Sequence, residues 1–574
     1  MPARSADAFV DSVGVNTHLH FDGTPYVNAF DTVIRPKLLA LGIRHVRDGA
    51  YTDDGTGPNT LYYQHCRSLA AAGVRFDLQT AFTTVSGAAT RMDRLGAVDA
   101  WCNGAVEAFE GPSEPDLRKL PPGSPPWPQQ TIATQTALHS AVRGDPSLSN
   151  VAVIGPAIAF RPEAVGDLSA QADFGNWHPF PGGYCPGCGD INGRTTESLL
   201  PKYRRPTGTK PMIATETGYH NALNGPSPPK AQRAVSELAA GKYMPRLLLD
   251  QFNLRFVRTY LYELIDLRAD PSSGQPNSHF GLLRNDGSEK PAYTAVRSLL
   301  GLLADPGPPF RTSTLSFALS GQTERVHRTL LQKRDGRFFL ALWQERSSFD
   351  NGARKGAPDD RAARRDLAVP DQQVTVNVRN HLVSATLHRL DDAGQMSSAP
   401  VKFARNGDIT LRVSDRVEVL ELRRGRGSIS RNQRPRLTKV RMVRRTFAVK
   451  RSGVRGRARR THTHRGSGFR YTLSERATVT IAIDRILPGR RVRRSGRVHC
   501  LPPRRGAARS RPCRRYQWLG TIHTSGRAGS RTKLFSGYLR KHPLKAGLYR
   551  ARLQATDSAR AKSSERRLQF RVVR

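Results

Sequence analysis

Residues 13 to 303 alternate short apolar runs with longer amphipathic ones. The apolar runs are Val13–His18, Ile43–Arg47, Val74–Ala81, Val106–Glu110, Val151–Pro156, Asp173–His178, Met212–Glu216 and Phe256–Leu264. Between them Ala29–Leu41, Leu61–Ala72, Thr131–Val142 and Lys230–Asn253 repeat apolar positions at helical spacing. Strand-then-helix repetition predicts parallel strands joined by crossover helices. Eight such units in roughly 290 residues fit a (β/α)₈ barrel, which usually takes about 250 residues or more. A doubly wound open sheet would instead carry a Gly-rich phosphate loop after its first strand. Here the first run is followed by Leu19-His20-Phe21-Asp22-Gly23.

From about Phe310 to Leu422 the period changes to two. Phe338–Trp343, Val374–Val378 and Ile409–Val413 read as antiparallel strands of a sandwich, and Arg334-Asp335-Gly336 as a hairpin tip. Arg423–Arg465 shows little periodicity and is expected to be a linker. Strand patterns return in Phe469–Leu473, Val479–Ile483, Gly547–Leu553 and Leu568–Val572. The expected organisation is therefore an α/β chain: a (β/α)₈ TIM barrel over 1–305, an all-β sandwich over 306–422, a basic linker over 423–467 and a basic β-sandwich module over 468–574.

Charge sharpens this division. The net charge is +44, but Arg423–Arg574 holds 45 Lys and Arg against 4 Asp and Glu, so residues 1–422 are left at +3. A tail so basic suits polyanions. With no nucleic-acid reader motif present, the expected partner is an anionic envelope polymer rather than a specific nucleic acid. No apolar run approaches the ~18–20 residues of a membrane span, and the N-terminus lacks the apolar core of a signal peptide. Cys185 and Cys188 are expected to pair, as are Cys500 and Cys513. Two disulfides point to an oxidising compartment, so the chain is expected to be secreted or associated with the cell envelope.

Barrel active sites lie at the C-terminal ends of the strands. Those ends carry His18 and His20, Arg47, Glu110 to Glu114, His178, Glu216, and Tyr262 with Glu263. Glu114 follows the fourth strand in Phe109-Glu110-Gly111-Pro112-Ser113-Glu114-Pro115, and Glu216 ends the seventh in Met212-Ile213-Ala214-Thr215-Glu216. Two carboxylates converging from opposite sides of a barrel mouth match the equipment of glycoside cleavage.

The segment around Glu114 resembles the Asn-Glu-Pro signature of the retaining (β/α)₈ glycosidases, often called clan A. The segment around Glu216 resembles their strand-seven nucleophile motif. Arg47 in His45-Val46-Arg47-Asp48-Gly49, His178 in Asn176-Trp177-His178-Pro179, and Tyr262-Glu263 on the eighth strand match as well. The resemblance implies Glu114 as acid/base and Glu216 as nucleophile. It also implies that His18, Arg47, Ser113, Trp177, His178, Tyr262 and Glu263 bind an oligo- or polysaccharide, with Trp177 offering a stacking face and no metal or cofactor required. Ser113 departs from the family, whose Asn at that position hydrogen-bonds the sugar 2-hydroxyl. That departure leaves a catalytically silent sugar-binding protein as one alternative. A second comes from His18-Leu19-His20, which resembles the metal-binding His-x-His of amidohydrolase barrels, with His178 and Asp266 as possible partners. The tail resembles C-terminal β-sandwich modules of exported bacterial proteins, through Tyr471–Val479, Cys500 with Cys513, and Leu544–Arg550.

Overall fold

A computed structural model of the chain describes residues 1–53, 55–80, 90–120, 122–226, 232–378, 382–404, 406–425, 435–450, 465–494, 497–503, 511–539, 542–557 and 561–574. It forms two compact units, Met1–Gly427 and Ser428–Arg574.

The first unit is built on eight parallel strands: β1 (Val13–Asn16), β2 (His45–Gly49), β3 (Arg75–Gln79), β4 (Val106–Glu110), β5 (Ala152–Ile154), β6 (Gly175–Trp177), β7 (Met212–Thr217) and β8 (Arg258–Leu261). Each of the eight apolar runs supplies one of them. In space they follow chain order, with β8 beside β1. A parallel bridge from Ile154 to Phe174 joins β5 to the start of β6 and closes the barrel. Helices such as Leu61–Ala71, Trp127–Gly144, Glu237–Asn253 and Pro291–Leu303 wrap the outside. The helix expected from Lys230 begins later, because Ser236 caps it by accepting from the Ala239 amide. That cap satisfies an orphan N–H of the first turn. Lys230 and Ala81, both counted in predicted elements, lie outside the described residues. The stretch Ala29–Leu41 is a π-turn over Phe30–Ile34 running into the α-helix Arg35–Leu41.

The period-two region forms a six-stranded sheet packed on a three-stranded one. Lys333–Arg337 make the predicted turn between the strands Val326–Gln332 and Phe338–Gln344, with Gly336 at φ +92°. Only glycine adopts that conformation cheaply. Phe338–Gln344 is buried throughout. Alternation explains this: Phe338, Leu340 and Leu342 pack inside the sandwich, while Phe339, Ala341 and Trp343 join the core of the barrel. The N-terminal Arg4–Ser5 adds a parallel strand to the same sheet, so barrel and sandwich share a core. Arg246, fully buried between them, pairs with Glu345.

The second unit has a three-stranded and a six-stranded sheet around Phe447, Phe469, Tyr549 and Phe570. Two of its strands, Leu437–Met442 and Thr446–Ala448, fall within the stretch expected to be a linker. They escape the hydrophobic pattern because Arg436, Lys439, Arg441, Arg444 and Arg445 break up the apolar positions around the buried Leu437, Met442 and Phe447. Of that stretch, 426–434 and 451–464 lie outside the described residues. Cys185 is disulfide-bonded to Cys188 and Cys500 to Cys513. No described helix is long and apolar enough to cross a membrane.

Candidate active site

At the C-terminal mouth of the barrel the side chains of β2, β4, β6 and β7 meet. Arg47 anchors them. Its Nε and Nη2 donate to the two oxygens of Glu110 at 2.5 and 2.9 Å, and its Nη1 donates to Asn16 at 2.8 Å and to Glu216 Oε1 at 2.6 Å. Burial opposes the Arg47 charge, but Glu110 and Glu216 outweigh it and hold the guanidinium well above its usual range.

Two backbone irregularities aim the glutamates. The pairing of β7 with β8 slips between Ala214 and Thr217. Such a bulge lets neighbouring residues escape strict alternation, and here Thr215 and Glu216 both make contacts inside the mouth. Glu114 has φ 47° and ψ 49°, a left-handed conformation uncommon for a side chain with a Cβ. Its amide is held by the Ala157 carbonyl at 2.8 Å, and its carboxylate reaches His178.

His178 lies between the two glutamates. Its Nδ1 is 2.9 Å from Glu114 Oε1 and 3.6 Å from Glu216 Oε2, while its Nε2 is 2.9 Å from Thr215 Oγ1. Carboxylate oxygens of Glu114 and Glu216 lie within 4.8 Å of each other and of His178. Burial disfavours the imidazolium, but Glu216 and Glu114 overcome this and raise the His178 pKa above its usual value. Burial likewise disfavours the Glu114 carboxylate, but the His178 hydrogen bond and charge overcome it and lower that carboxyl below its usual range. The three could also ligate a metal by spacing alone, but Arg47 Nη1 at 2.6 Å from Glu216 opposes a second cation there.

The side walls carry several expected residues. Tyr262, half-buried, stands edge-on to His18, Phe180 and Phe280 at centroid distances of 5.7, 6.4 and 5.4 Å. Phe21 stacks on His18 at 4.5 Å. Burial pushes the His18 pKa down to about 4, so this ring is neutral. Ser113 is held beside Ala157 by a backbone bridge, next to Glu114.

Two expectations need correcting, and one alternative does not fit. Trp177 does not line the mouth. Residues alternate along β6, so Asn176 points inward and Trp177 outward. There it stacks on Tyr203 at 4.2 Å in a cluster with Leu200, Met212 and Phe256. Glu263 is fully buried behind the mouth, accepting from Tyr26 at 2.9 Å and lying 3.5 Å from His18. Burial raises its carboxyl well above the usual range, and it stands behind His18 rather than open to substrate. Finally, His18 and His20 do not form a metal pair. Strand β1 ends at Asn16, so both lie in the following loop, where strand alternation does not apply. His18 faces Glu263, whereas His20 Nε2 contacts Tyr51 Oη at 2.6 Å. Neither belongs to a group of three close metal-ligating side chains among the described residues. Asp266 is instead paired with Lys290 at 2.8 Å.

Sequence reasoning passed over Asn16, Asn176 and Thr215, which tie Glu110 and His178 into one network. Asn176 Nδ2 donates to Glu110 at 2.9 Å and Thr215 Oγ1 lies 3.0 Å from the same oxygen. Polar residues at the ends of β1 and β6 were the available signal for Asn16 and Asn176, whereas Thr215 enters through the β7 bulge, which the sequence does not mark. A second cleft, of about 810 Å³, opens between the helix Glu237–Asn253 and the sandwich. It brings Asp250 to 3.1 Å from His327, but the nearby Glu345 is already neutralised by Arg246.

No protein-family model matches this sequence, and no curated protein matches it either. Solved structures do. A family 39 glycoside hydrolase from Bacteroides cellulosilyticus WH2 aligns at 14% identity over 74% of this chain and 83% of its own, with a TM-score of 0.50. The family 39 enzyme of Xanthomonas axonopodis pv. citri aligns at 16% identity over 74% and 96%, with a TM-score of 0.49. A glucosidase from Croceicoccus marinus aligns at 15% identity over 74% and 98%, with a TM-score of 0.48. At this identity it is the fold that is shared: the first unit has the (β/α)₈-barrel-and-sandwich architecture of the Bacteroides enzyme.

Proposed function

We propose that the chain is a retaining glycoside hydrolase that cleaves O-glycosidic bonds of an oligo- or polysaccharide, with Glu114 as acid/base and Glu216 as nucleophile. The observation that carries this reading is the approach of the Glu114 and Glu216 carboxylate oxygens to within 4.8 Å. Retaining enzymes hold their two carboxyl groups about 5–5.5 Å apart, whereas inverting enzymes leave about 6.5–9.5 Å for a water. The family 39 fold adds support, since clan A glycosidases use these same strand ends.

In the first step Glu216 Oε2 attacks the anomeric carbon while Arg47 holds Oε1. The bond to the leaving oxygen breaks as Glu114 protonates that oxygen. Water then attacks the glycosyl–Glu216 ester, Glu114 takes the water's proton, and Glu216 leaves as a carboxylate. We assign Tyr262 and His18 to the wall against the sugar, and Ser113, beside Glu114, to its 2-hydroxyl. The two disulfides and the basic tail suit an exported, envelope-associated enzyme.

The test is a screen of aryl glycosides and polysaccharides with wild type and Glu216→Gln, following the anomer first released by NMR. We expect retention of configuration and a loss of at least about 10⁴-fold on removing the nucleophile. Turnover that survives in Glu216→Gln, or an inverted product, overturns the assignment. Sugar binding without any turnover in wild type would favour the silent-binder alternative that Ser113 raises.

A further inference from the structure

The outer face of the six-stranded sheet in the second unit carries aromatic and basic side chains that its own core does not use. The register sets Trp518 opposite Asp484, Asp484 opposite Arg550, and Arg552 opposite Arg567. Directly paired residues share a face, as do residues two apart on one strand. Tyr516, Trp518, Arg550, Arg552 and Arg567 therefore stand together. The opposite face is already closed by Ile483, Tyr549, Ala551 and Phe570, all buried. Trp518 is 59% exposed and Tyr516 44%. An exposed indole beside a tyrosine on a sheet with a complete core marks a contact surface rather than packing.

The arginines are held in place. Arg550 donates to Asp484 at 2.7 and 2.9 Å and lies 3.5 Å from the centroid of the Tyr516 ring. Arg552 donates to the same carboxylate at 3.0 Å, and Arg567 pairs with Glu565 at 2.7 Å. Three guanidiniums thus meet two carboxylates, and the exposed Arg571 on the same strand adds a fourth. The face is net positive within a region holding 45 basic and 4 acidic residues.

We propose that this face binds an acidic polysaccharide. A sugar ring stacks on Trp518, and its carboxylate or sulfate groups accept from guanidinium N–H groups that are not engaged with Asp484 and Glu565. A guanidinium fork matches a carboxylate or sulfate in geometry, and a flat indole matches the C–H face of a pyranose. Charge alone would need no exposed tryptophan, and a neutral glycan would need no arginines. A nucleobase also stacks on tryptophan, so the choice of glycan over nucleic acid rests on the glycosidase reading of the barrel.

The experiment uses the full chain as wild type, Trp518→Ala, Trp518→Phe and Glu216→Gln. Polygalacturonate, heparin, dextran and single-stranded oligo-dT are titrated over a range of salt. We expect both acidic polysaccharides to bind, dextran not to bind, and oligo-dT to bind more weakly than either. Trp518→Ala should lose about tenfold in affinity, a size typical of one aromatic stack, while Trp518→Phe recovers most of it. The slope of log affinity against log salt should stay unchanged, because stacking releases no counterions. Unchanged binding by Trp518→Ala overturns the proposal, as does tighter binding of oligo-dT or equal binding of dextran. Glu216→Gln should bind like wild type. Acidic polysaccharide bound through Trp518 with no glycosidase turnover leaves this face standing and the barrel reading failed. Turnover with binding indifferent to Trp518 does the reverse.

Discussion

Removing the imidazole between Glu114 and Glu216 tests the proposed division of labour most sharply. Two carboxylates whose oxygens lie within 4.8 Å repel by roughly 3–4 kcal/mol at an effective dielectric of about 20. A protonated His178, 2.9 Å from one and 3.6 Å from the other, more than offsets that repulsion. This agrees with the raised His178 pKa and the lowered Glu114 pKa. With the shared proton on His178, the proton required by the leaving oxygen lies one hydrogen bond from Glu114. In such a coupled group the apparent pKa values belong to the set, not to single residues. The basic limb of kcat/KM in wild type should follow loss of that shared proton, which His178 holds to a pH above the usual histidine range.

In His178→Gln the limb belongs to Glu114 alone. Burial lifts that carboxyl while Arg47 and Arg118 lower it, and it starts from the carboxylate range, so the limb should move to lower pH. At neutral pH the variant should lose about 10²–10³-fold in kcat/KM, the size of a general-acid contribution. The loss should shrink as the pH is lowered and Glu114 regains its own proton. Aryl glycosides with good and poor leaving groups provide the assay, because only the poor ones need the acid in the first step. A basic limb that does not move, or a loss that is equal for both leaving groups at every pH, refutes the reasoning.

Arg47→Met should destabilise the first unit by about 3–5 kcal/mol, since it strands the buried Glu110 charge. The double variant Arg47→Met/Glu110→Gln should recover more than half of this in urea denaturation, and no recovery would mean that lost packing dominates. Trp177→Ala should lower stability by about 3–5 kcal/mol with KM unchanged, whereas Tyr262→Ala should raise KM at much smaller cost to stability. The opposite pattern in that pair would return Trp177 to the sugar-binding wall.

What was legible in the sequence divides along periodicity. A barrel strand buried on both faces is a short apolar run of fixed sense, so all eight strands could be read, and with them the rim positions of Arg47, Glu114, His178 and Glu216. Trp177 failed for the converse reason: adjacency in sequence to His178 suggests adjacency in space, yet one step along a strand turns a side chain to the other face. The alternative metal pair at His18 and His20 depends on alternation extended past Asn16, where the strand has ended. Glu263 was found at a strand end, but an apolar run cannot distinguish a carboxyl facing solvent from one enclosed by Tyr26 and His18. The bulge before Thr217 and the left-handed backbone at Glu114 carry no residue signal at all, since neither uses glycine. Such conformations are imposed by the surrounding structure and cluster at functional sites. Here they fall at the two carboxylates assigned to the chemistry, so local propensity yields where the two side chains must converge.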